Sequence, residues 1–115
     1  MSSTATANVR LDNAVVTGNA PAPLPVFSQA IKSKNLIHVS GNVGMDPSTQ
    51  ELVPGGVKAQ TAQILKNLQA VLEAAGSGIG KVVKVNVYIT DMRNFAEMNE
   101  AYLGFFQDPQ PVSLP

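Results

Sequence analysis

The stretch from Val57 to Gly76, VKAQTAQILKNLQAVLEAAG, decides the fold of this chain. Its apolar residues recur at the three- and four-residue spacing of one helix face. They are Ile64, Leu65, Leu68, Val71, Leu72 and Ala75, and the opposite face carries Lys58, Gln60, Gln63, Lys66, Gln69 and Glu73. Gly55-Gly56 precedes this helix, and Gly76 is the left-handed residue that commonly closes one. A helix with one broad apolar face needs a sheet or a second helix to cover it.

The residues before this helix predict short strands and a loop. Asn13–Thr17 is a candidate strand, and Val26–Ile31 and Leu36–Ser40 are predicted to form a hairpin around a turn at Lys32–Asn35. Gly41–Gly56 is rich in turn-forming residues and is predicted as a surface loop. That loop is expected to contain a short strand near Glu51–Val53.

The clearest strand follows the helix at Val82–Thr90, where valine and isoleucine alternate with polar residues. Its apolar face, Val83, Val85, Val87 and Ile89, is expected to lie beneath the helix. Its other face is polar but carries Tyr88, which suits a surface covered by a partner subunit or by water. The order strand, helix, strand favours a parallel crossover in a sheet that is parallel or mixed.

A second helix is predicted to begin at Asn94, with Glu97 as its capping-box partner. Its predicted buried stripe comprises Phe95, Met98, Tyr102 and Phe105. Asp108–Pro111 is expected to end it, because proline cannot continue a helix. The predicted architecture is therefore α+β, with a mixed sheet backed by two helices in a single domain over residues 13–115.

Composition excludes several classes of function. The 115 residues carry eight Lys and Arg against eight Asp and Glu, a formal net charge of zero. With no basic stripe, nucleic acid is not an expected partner. There is no cysteine and one histidine, His38, so thiolate chemistry and sulfur-based zinc sites are excluded and no metal site is expected. No apolar run approaches the roughly 20 residues of a membrane span.

Residues 1–12 are predicted to be a flexible tail. The tail begins MSSTATANVR, a Ser- and Thr-rich stretch with one arginine. Such a stretch resembles a mitochondrial presequence, but it lacks the charged and apolar layout of a secretory signal. A cytoplasmic location is predicted, with the mitochondrion as the alternative.

Ser40-Gly41-Asn42 is the segment most typical of a binding site, since a hydroxyl and free backbone N–H groups at a strand end suit a small ligand. Glycine is also the ordinary way to leave a strand, so this role stays open. His38 and Ser40 share a strand face roughly 7 Å apart, whereas direct proton transfer needs about 3 Å. His38 is therefore interpreted as a packed or surface residue.

Two acidic pairs are candidates for metal or acid–base sites, Asp46 with Glu51 and Asp91 with Glu97. Neither pair has a recognised spacing. Asp46 is interpreted as a turn former and Asp91 as a helix cap. Asn99, opposite the apolar stripe of the second helix, would by itself pass as solvent-exposed.

Four segments carry a family resemblance: NAPAPLPVFSQAI, NLIHVSGNVGMDPSTQELV, LKNLQAVLEAAGSGIGKVVKVNVYITDM and NFAEMNEAYLGFF. Over Ala20 to Phe106 they resemble the RidA family of reactive intermediate imine deaminases, also called the YjgF or endoribonuclease L-PSP family. The resemblance implies a chorismate mutase-like fold and a homotrimer with ligand clefts between subunits. It also implies cofactor-free hydrolysis of enamines and imines, such as 2-aminoacrylate, to 2-keto acids and ammonia.

The resemblance implies substrate-binding roles for Ser40, Gly41 and Asn99, which match the family motifs, and for Phe27, which stands where the family has tyrosine. Asn42 replaces a glutamine after the Ser-Gly step.

The end of the sequence differs from the family pattern. Ser113 stands where the family has a carboxylate-binding arginine, and the sequence ends at Pro115, before two strands that carry an acidic residue. Since an arginine–carboxylate pair is bidentate and charge-assisted, the strongest substrate contact is missing. The catalytic residues stay unassigned. Three hypotheses follow: an imine deaminase, a noncatalytic binding or scaffold subunit, and, ranked last, an endoribonuclease.

Overall fold

A computed structural model describes residues 13–23, 28–88 and 91–106, together with the backbone of residues 112–114. The predicted tail 1–12, the start of a predicted strand at Val26-Phe27, the end of another at Ile89-Thr90, and the predicted helix stop Asp108–Pro111 lie outside these ranges. Within them no helix is long and apolar enough to cross a membrane.

The predicted hairpin is confirmed. Strands β1 (Ala14–Val15), β2 (Ala30–Ser33) and β3 (Leu36–Val39) form an antiparallel sheet in the order β1-β2-β3. The turn is narrower than predicted, because the pairing continues to Ser33 opposite Leu36. Lys34 adopts a φ of 55°, the left-handed conformation that such a tight turn needs.

Helix α1 spans Gly56–Ala74, as the periodicity predicts. Gly55 and Gly56 have φ values of 108° and 80°, and Gly76 has 85°, so the glycines at both ends adopt conformations that other residues rarely do. At the closing end Ser77 N–H donates to Leu72 O at 2.8 Å, and Gly76 N–H donates to Glu73 O at 3.0 Å. This is the Schellman pattern, which satisfies carbonyls that the helix leaves open.

The apolar side of α1 covers two clusters. The first contains Val15, Ala20, Ala30, Val71 and Ala75, with Ile37, Val39 and Ala70 packed against it. The second contains Leu65, Met98, Tyr102 and Phe106, with Val57, Leu68, Ile79, Val82, Val85, Val87 and Phe105 at its margin. The first cluster joins α1 to the hairpin sheet, and the second joins α1 to the elements that follow it.

The strand after α1 is shorter than predicted. Strand β4 spans Lys84–Asn86 and pairs in parallel with β5, Val112–Leu114. A strand at Val112–Leu114 was not predicted. Along the chain, the segment that connects these two parallel strands contains the second helix. The sequence had suggested a parallel crossover through α1. Val83 is 70% exposed, so its predicted place on the buried face is wrong.

Helix α2 spans Phe95–Leu103 and follows a 3₁₀ turn at Met92–Asn94. The predicted capping box is wrong, because Asn94 makes no side-chain cap and its N–H donates to Asp91 O at 3.0 Å. Asp91 is the cap, as predicted, since its carboxylate accepts from Arg93 N–H at 2.9 Å. Phe95 is 40% exposed, so its predicted place in the buried stripe is wrong.

Candidate functional site

Ser40 and Gly41 lie exposed at the end of β3. The Ser40 N–H and Oγ–H both donate to the carbonyl of Gln29, at 3.0 and 3.1 Å. Asn42 Nδ2 donates back to Ser40 O at 3.2 Å. Because the Ser40 hydroxyl uses its hydrogen within the protein, it presents acceptor lone pairs to solvent. The segment is thus an exposed polar margin of the hairpin sheet, which is where the sequence placed it.

Gln29 is a buried amide, 6% exposed, that sequence analysis did not single out. Its Oε1 accepts from Thr17 N–H at 2.7 Å, and its Nε2 donates to Thr17 O and Pro21 O, each at 3.0 Å. These bonds fix the residues that follow β1 against the sheet. They also fix Gln29 itself, whose carbonyl holds Ser40.

The loop after Ser40 docks onto α1 through Asn67, whose exposed fraction is 0%. Asn67 Nδ2 donates to Met45 O at 2.9 Å and makes a longer contact with Val43 O at 3.5 Å. Within the loop, Met45 and Leu52 form an isolated β-bridge. The short strand predicted near Glu51–Val53 is therefore only a single bridge, at Leu52.

Asp46 in the loop and Asp91 before α2 each accept local hydrogen bonds. The Asp46 carboxylate accepts from the hydroxyl and the N–H of Ser48, and these bonds lower the pKa of Asp46. Hydrogen bonds from Arg93 likewise lower the pKa of Asp91. Asp46 is a turn former, as predicted. Across the described ranges no three acidic, His or Cys residues are grouped so that they could hold a metal ion.

Asn99 lies half-buried on α2, although the sequence predicted an exposed residue. Helix α2 packs on α1 through the second cluster and through an ion pair at the surface, Lys58 Nζ to Glu100 Oε1 at 2.8 Å. Ser40, in contrast, follows a strand that packs on the first cluster. Among the hydrogen bonds of the described residues, none joins Ser40 to Asn99.

The remaining candidates for the site are His38, Phe27 and a surface depression. His38 is exposed on β3, in agreement with its interpretation as a strand residue, and Phe27 lies outside the described residues. A surface depression of about 370 Å³ lies between Thr17 and the polar face of α1 near Lys66 and Glu73. It contains neither Ser40 nor Asn99 and is wide open, so we do not assign the site to it.

Comparison with known proteins gives a consistent result. A family model described as endoribonuclease L-PSP matches residues 17–115. A RutC family protein of Pyrococcus horikoshii is 45% identical over 100 residues, which cover 87% of this chain and 79% of the relative. The mouse 2-iminobutanoate/2-iminopropanoate deaminase is 44% identical over 98 residues, which cover 85% and 73%. The crystal structure of RidA from Psychrobacter sp. superposes with a TM-score of 0.82 at 41% identity and covers 86% of this chain and 80% of that one.

Proposed function

Because this chain belongs to the endoribonuclease L-PSP family, also called the RidA family, we propose that it hydrolyses reactive enamines and imines of small 2-amino acids. The product would be a 2-keto acid with release of ammonia, and 2-aminoacrylate is the model substrate. The observation that carries the proposal is the 44% identity to the mouse deaminase over 98 residues. The α+β fold shared with RidA structures supports it.

The proposed reaction needs no redox step. An enamine such as 2-aminoacrylate first tautomerises to the imine, gaining a proton at its CH2 carbon and losing one from nitrogen. Water then adds to the carbon of the C=N bond, a proton moves from the added oxygen to nitrogen, and the C–N bond of the carbinolamine breaks, so that ammonia leaves as the carbonyl forms. The lone pairs of Ser40 Oγ suit an N–H of the substrate imine, since the hydroxyl hydrogen is donated to Gln29 O. Gly41, exposed and without a side chain, leaves room for the substrate to approach the backbone.

We propose that the site is completed in a homotrimer, with Ser40 of one subunit facing Asn99 of another. Two features support this assembly. Ser40 and Asn99 lie on elements that pack on different clusters of the subunit. Exposed apolar surface surrounds β4, where Val83 is 70% and Tyr88 85% exposed, and such surface is typical of an interface.

A noncatalytic binding subunit is the second candidate, because Ser113 stands where the family has arginine. Without that cation the substrate carboxylate would rely on neutral hydrogen bonds, which are about half as strong. Endoribonuclease activity, the family's older name, is disfavoured by the formal net charge of zero, since RNA affinity depends on phosphate contacts.

The test is the release of 2-keto acid from 2-aminoacrylate generated enzymatically, with and without the purified chain. The native mass, measured in parallel, should be about three times the 12.1 kDa of one chain. Ser40→Ala should lower kcat/KM by about tenfold, because a substrate N–H left without its partner costs about 1–3 kcal/mol. Ser33→Ala, at an exposed strand serine, serves as the matched control. Binding of 2-ketobutyrate without turnover would favour the noncatalytic subunit. A chain that neither binds 2-ketobutyrate nor turns over 2-aminoacrylate would overturn the proposal.

A further inference from the structure

Asn67 is an amide in the middle of the apolar side of α1, and its side chain is completely buried. Burying an unpaired amide is costly, so its partners are informative. Its Oδ1 accepts from Gln63 Nε2 at 2.9 Å, one turn earlier on the same helix. Its Nδ2 leaves the helix and donates to the carbonyl of Met45 at 2.9 Å. The amide thus links α1 to a loop 22 residues away in sequence.

Gly44 brings the same loop against α1 at a second point. A Cβ at this position would lie 2.8 Å from Gln60 Cα and 2.8 Å from Gln60 O. Real Cβ atoms essentially never approach other heavy atoms so closely, and helix backbone has no room to move. The loop backbone therefore lies directly on the helix backbone, and only glycine permits this contact.

These contacts fix the segment that carries the proposed ligand-binding residues. At its start, Ser40 is held by two hydrogen bonds to Gln29 O. At its end, the carbonyl of Met45 is held by Asn67. Gly41 and Asn42 lie between two anchors, one on the sheet and one on the helix. If the bond from Asn67 is lost, the segment keeps its attachment to the sheet at Ser40 but loses its hydrogen bond to α1.

We infer that Asn67 is a positioning residue for the ligand site, which it sets by holding the Gly41–Met45 backbone on α1 with Gly44 as the contact point. The inference rests on the proposed function, because it assigns a ligand to Ser40 and Gly41. Misplacement of a binding group by about 1 Å can cost up to about 100-fold in rate. Because Ser40 and Gly41 are proposed to contact the ligand, loss of the anchor should weaken substrate binding as well as slow the reaction.

Two substitutions break the docking by different means. Asn67→Leu keeps the approximate volume and removes the donor to Met45 O. Gly44→Ala leaves Asn67 intact and pushes the loop away from Gln60. Each has a matched control. Gln63→Leu removes the partner of Asn67 Oδ1 but leaves the bond to the loop, and Gly80→Ala adds a Cβ where no atom lies within 4 Å.

The experiment measures hydrogen exchange, KM and kcat on the full chain well below its melting temperature. The amides of Asp46 and Val53, which bond to Glu51 O and Gly44 O within the loop, report on its docking. In Asn67→Leu and Gly44→Ala these amides should exchange at least about tenfold faster. KM and the Kd for 2-ketobutyrate should rise by about tenfold, with a smaller change in kcat. Both controls should resemble the parent in loop exchange, KM and Kd, although Gln63→Leu should melt at a lower temperature because it leaves Asn67 Oδ1 without its donor.

Three results would overturn the inference, and they are distinguishable. Unchanged loop exchange in both variants would show that the docking does not depend on these residues. Faster exchange with unchanged KM and Kd, even with a lower melting temperature, would show a purely structural role. A parent protein that neither turns over 2-aminoacrylate nor binds 2-ketobutyrate would overturn the proposed function and this inference with it. If the parent is active and both variants have its KM and Kd, only the inference is overturned.

Discussion

Replacement of Leu65 by alanine tests the packing of α1 against α2. Leu65 is 3% exposed and lies in the cluster with Met98, Tyr102 and Phe106. The change deletes about three buried carbon atoms, worth about 0.8 kcal/mol each in transfer free energy, or about 2.4 kcal/mol together. The residual cavity adds to this, and buried Leu→Ala changes cost about 2–5 kcal/mol in total.

The expected loss in the free energy of unfolding is therefore about 3 kcal/mol, a large part of the roughly 5–15 kcal/mol that holds a domain folded. At about 4 °C for each kcal/mol, the melting temperature should fall by about 12 °C. Leu103→Ala is the matched control, because Leu103 on α2 is 52% exposed.

Thermal unfolding followed by circular dichroism at a fixed protein concentration checks this prediction. The concentration must be fixed because assembly would contribute to the melting temperature. A Leu65→Ala protein that melts within about 2 °C of the parent, or no lower than Leu103→Ala, would contradict the assigned interface between the helices.

Three further predictions concern other parts of the fold. Gln29→Ala should destabilise by about 2–3 kcal/mol in chemical unfolding, because it leaves backbone groups near Thr17 unpaired, whereas exposed Gln50 can be replaced at little cost. Leu68→Asp should prevent a cooperative melt, since it places a charge at the margin of the second cluster; a parent-like transition would show that this face is misassigned. The hydrogen bond from Lys58 lowers the pKa of Glu100, so the small stabilisation by this pair is present at neutral pH and lost as pH falls through the folded-state pKa. Lys58→Met should then melt slightly below the parent at pH 7, and this difference should shrink as the carboxyl of Glu100 is protonated in acid. A difference that grows in acid would contradict this.

Periodicity and turn chemistry predicted the parts of the fold that depend on local sequence. The spacing of Leu65, Leu68 and Leu72 located α1, and the left-handed Gly76 ends it as expected. The hairpin was also predictable, because two apolar runs flank a short polar turn. The helix and the hairpin depend on residues that are close together in the sequence, so their patterns can be read from it directly.

The errors arise where distant partners decide the outcome. Asn67 was not recognised as buried, because its loop partners are 22 and 24 residues away. The sequence did contain one sign of this burial, since Asn67 is an amide at a position aligned with the apolar face of α1. The predicted start of α2 at Asn94 is confirmed to within one residue, but the capping box is wrong, because Asp91 caps a 3₁₀ turn that precedes the helix. Strand β5 is only three residues long and is specified by pairing with β4 rather than by its own pattern.

The sequence predicted individual residues of the candidate site but not the contacts that hold them in place. The Ser-Gly step led to the exposed hydroxyl of Ser40, and the family motif led to Asn99. The anchors of the Ser40 segment, Gln29 and Asn67, emerged only from the structure, because buried amides are identified by their hydrogen bonds. Phe27 stays a prediction.

Subunit complementation tests the central claim most directly, since that claim is a hydrolytic site built from Ser40 of one subunit and Asn99 of the next. Ser40→Ala and Asn99→Ala proteins should each have little activity on 2-aminoacrylate. Equal amounts, unfolded and refolded together, should recover about one quarter of parent activity, because a random cyclic trimer gives each site that chance of receiving both intact residues. Mass spectrometry would verify that mixed trimers form. Mixed trimers with no more activity than the separate variants would contradict a site shared between subunits.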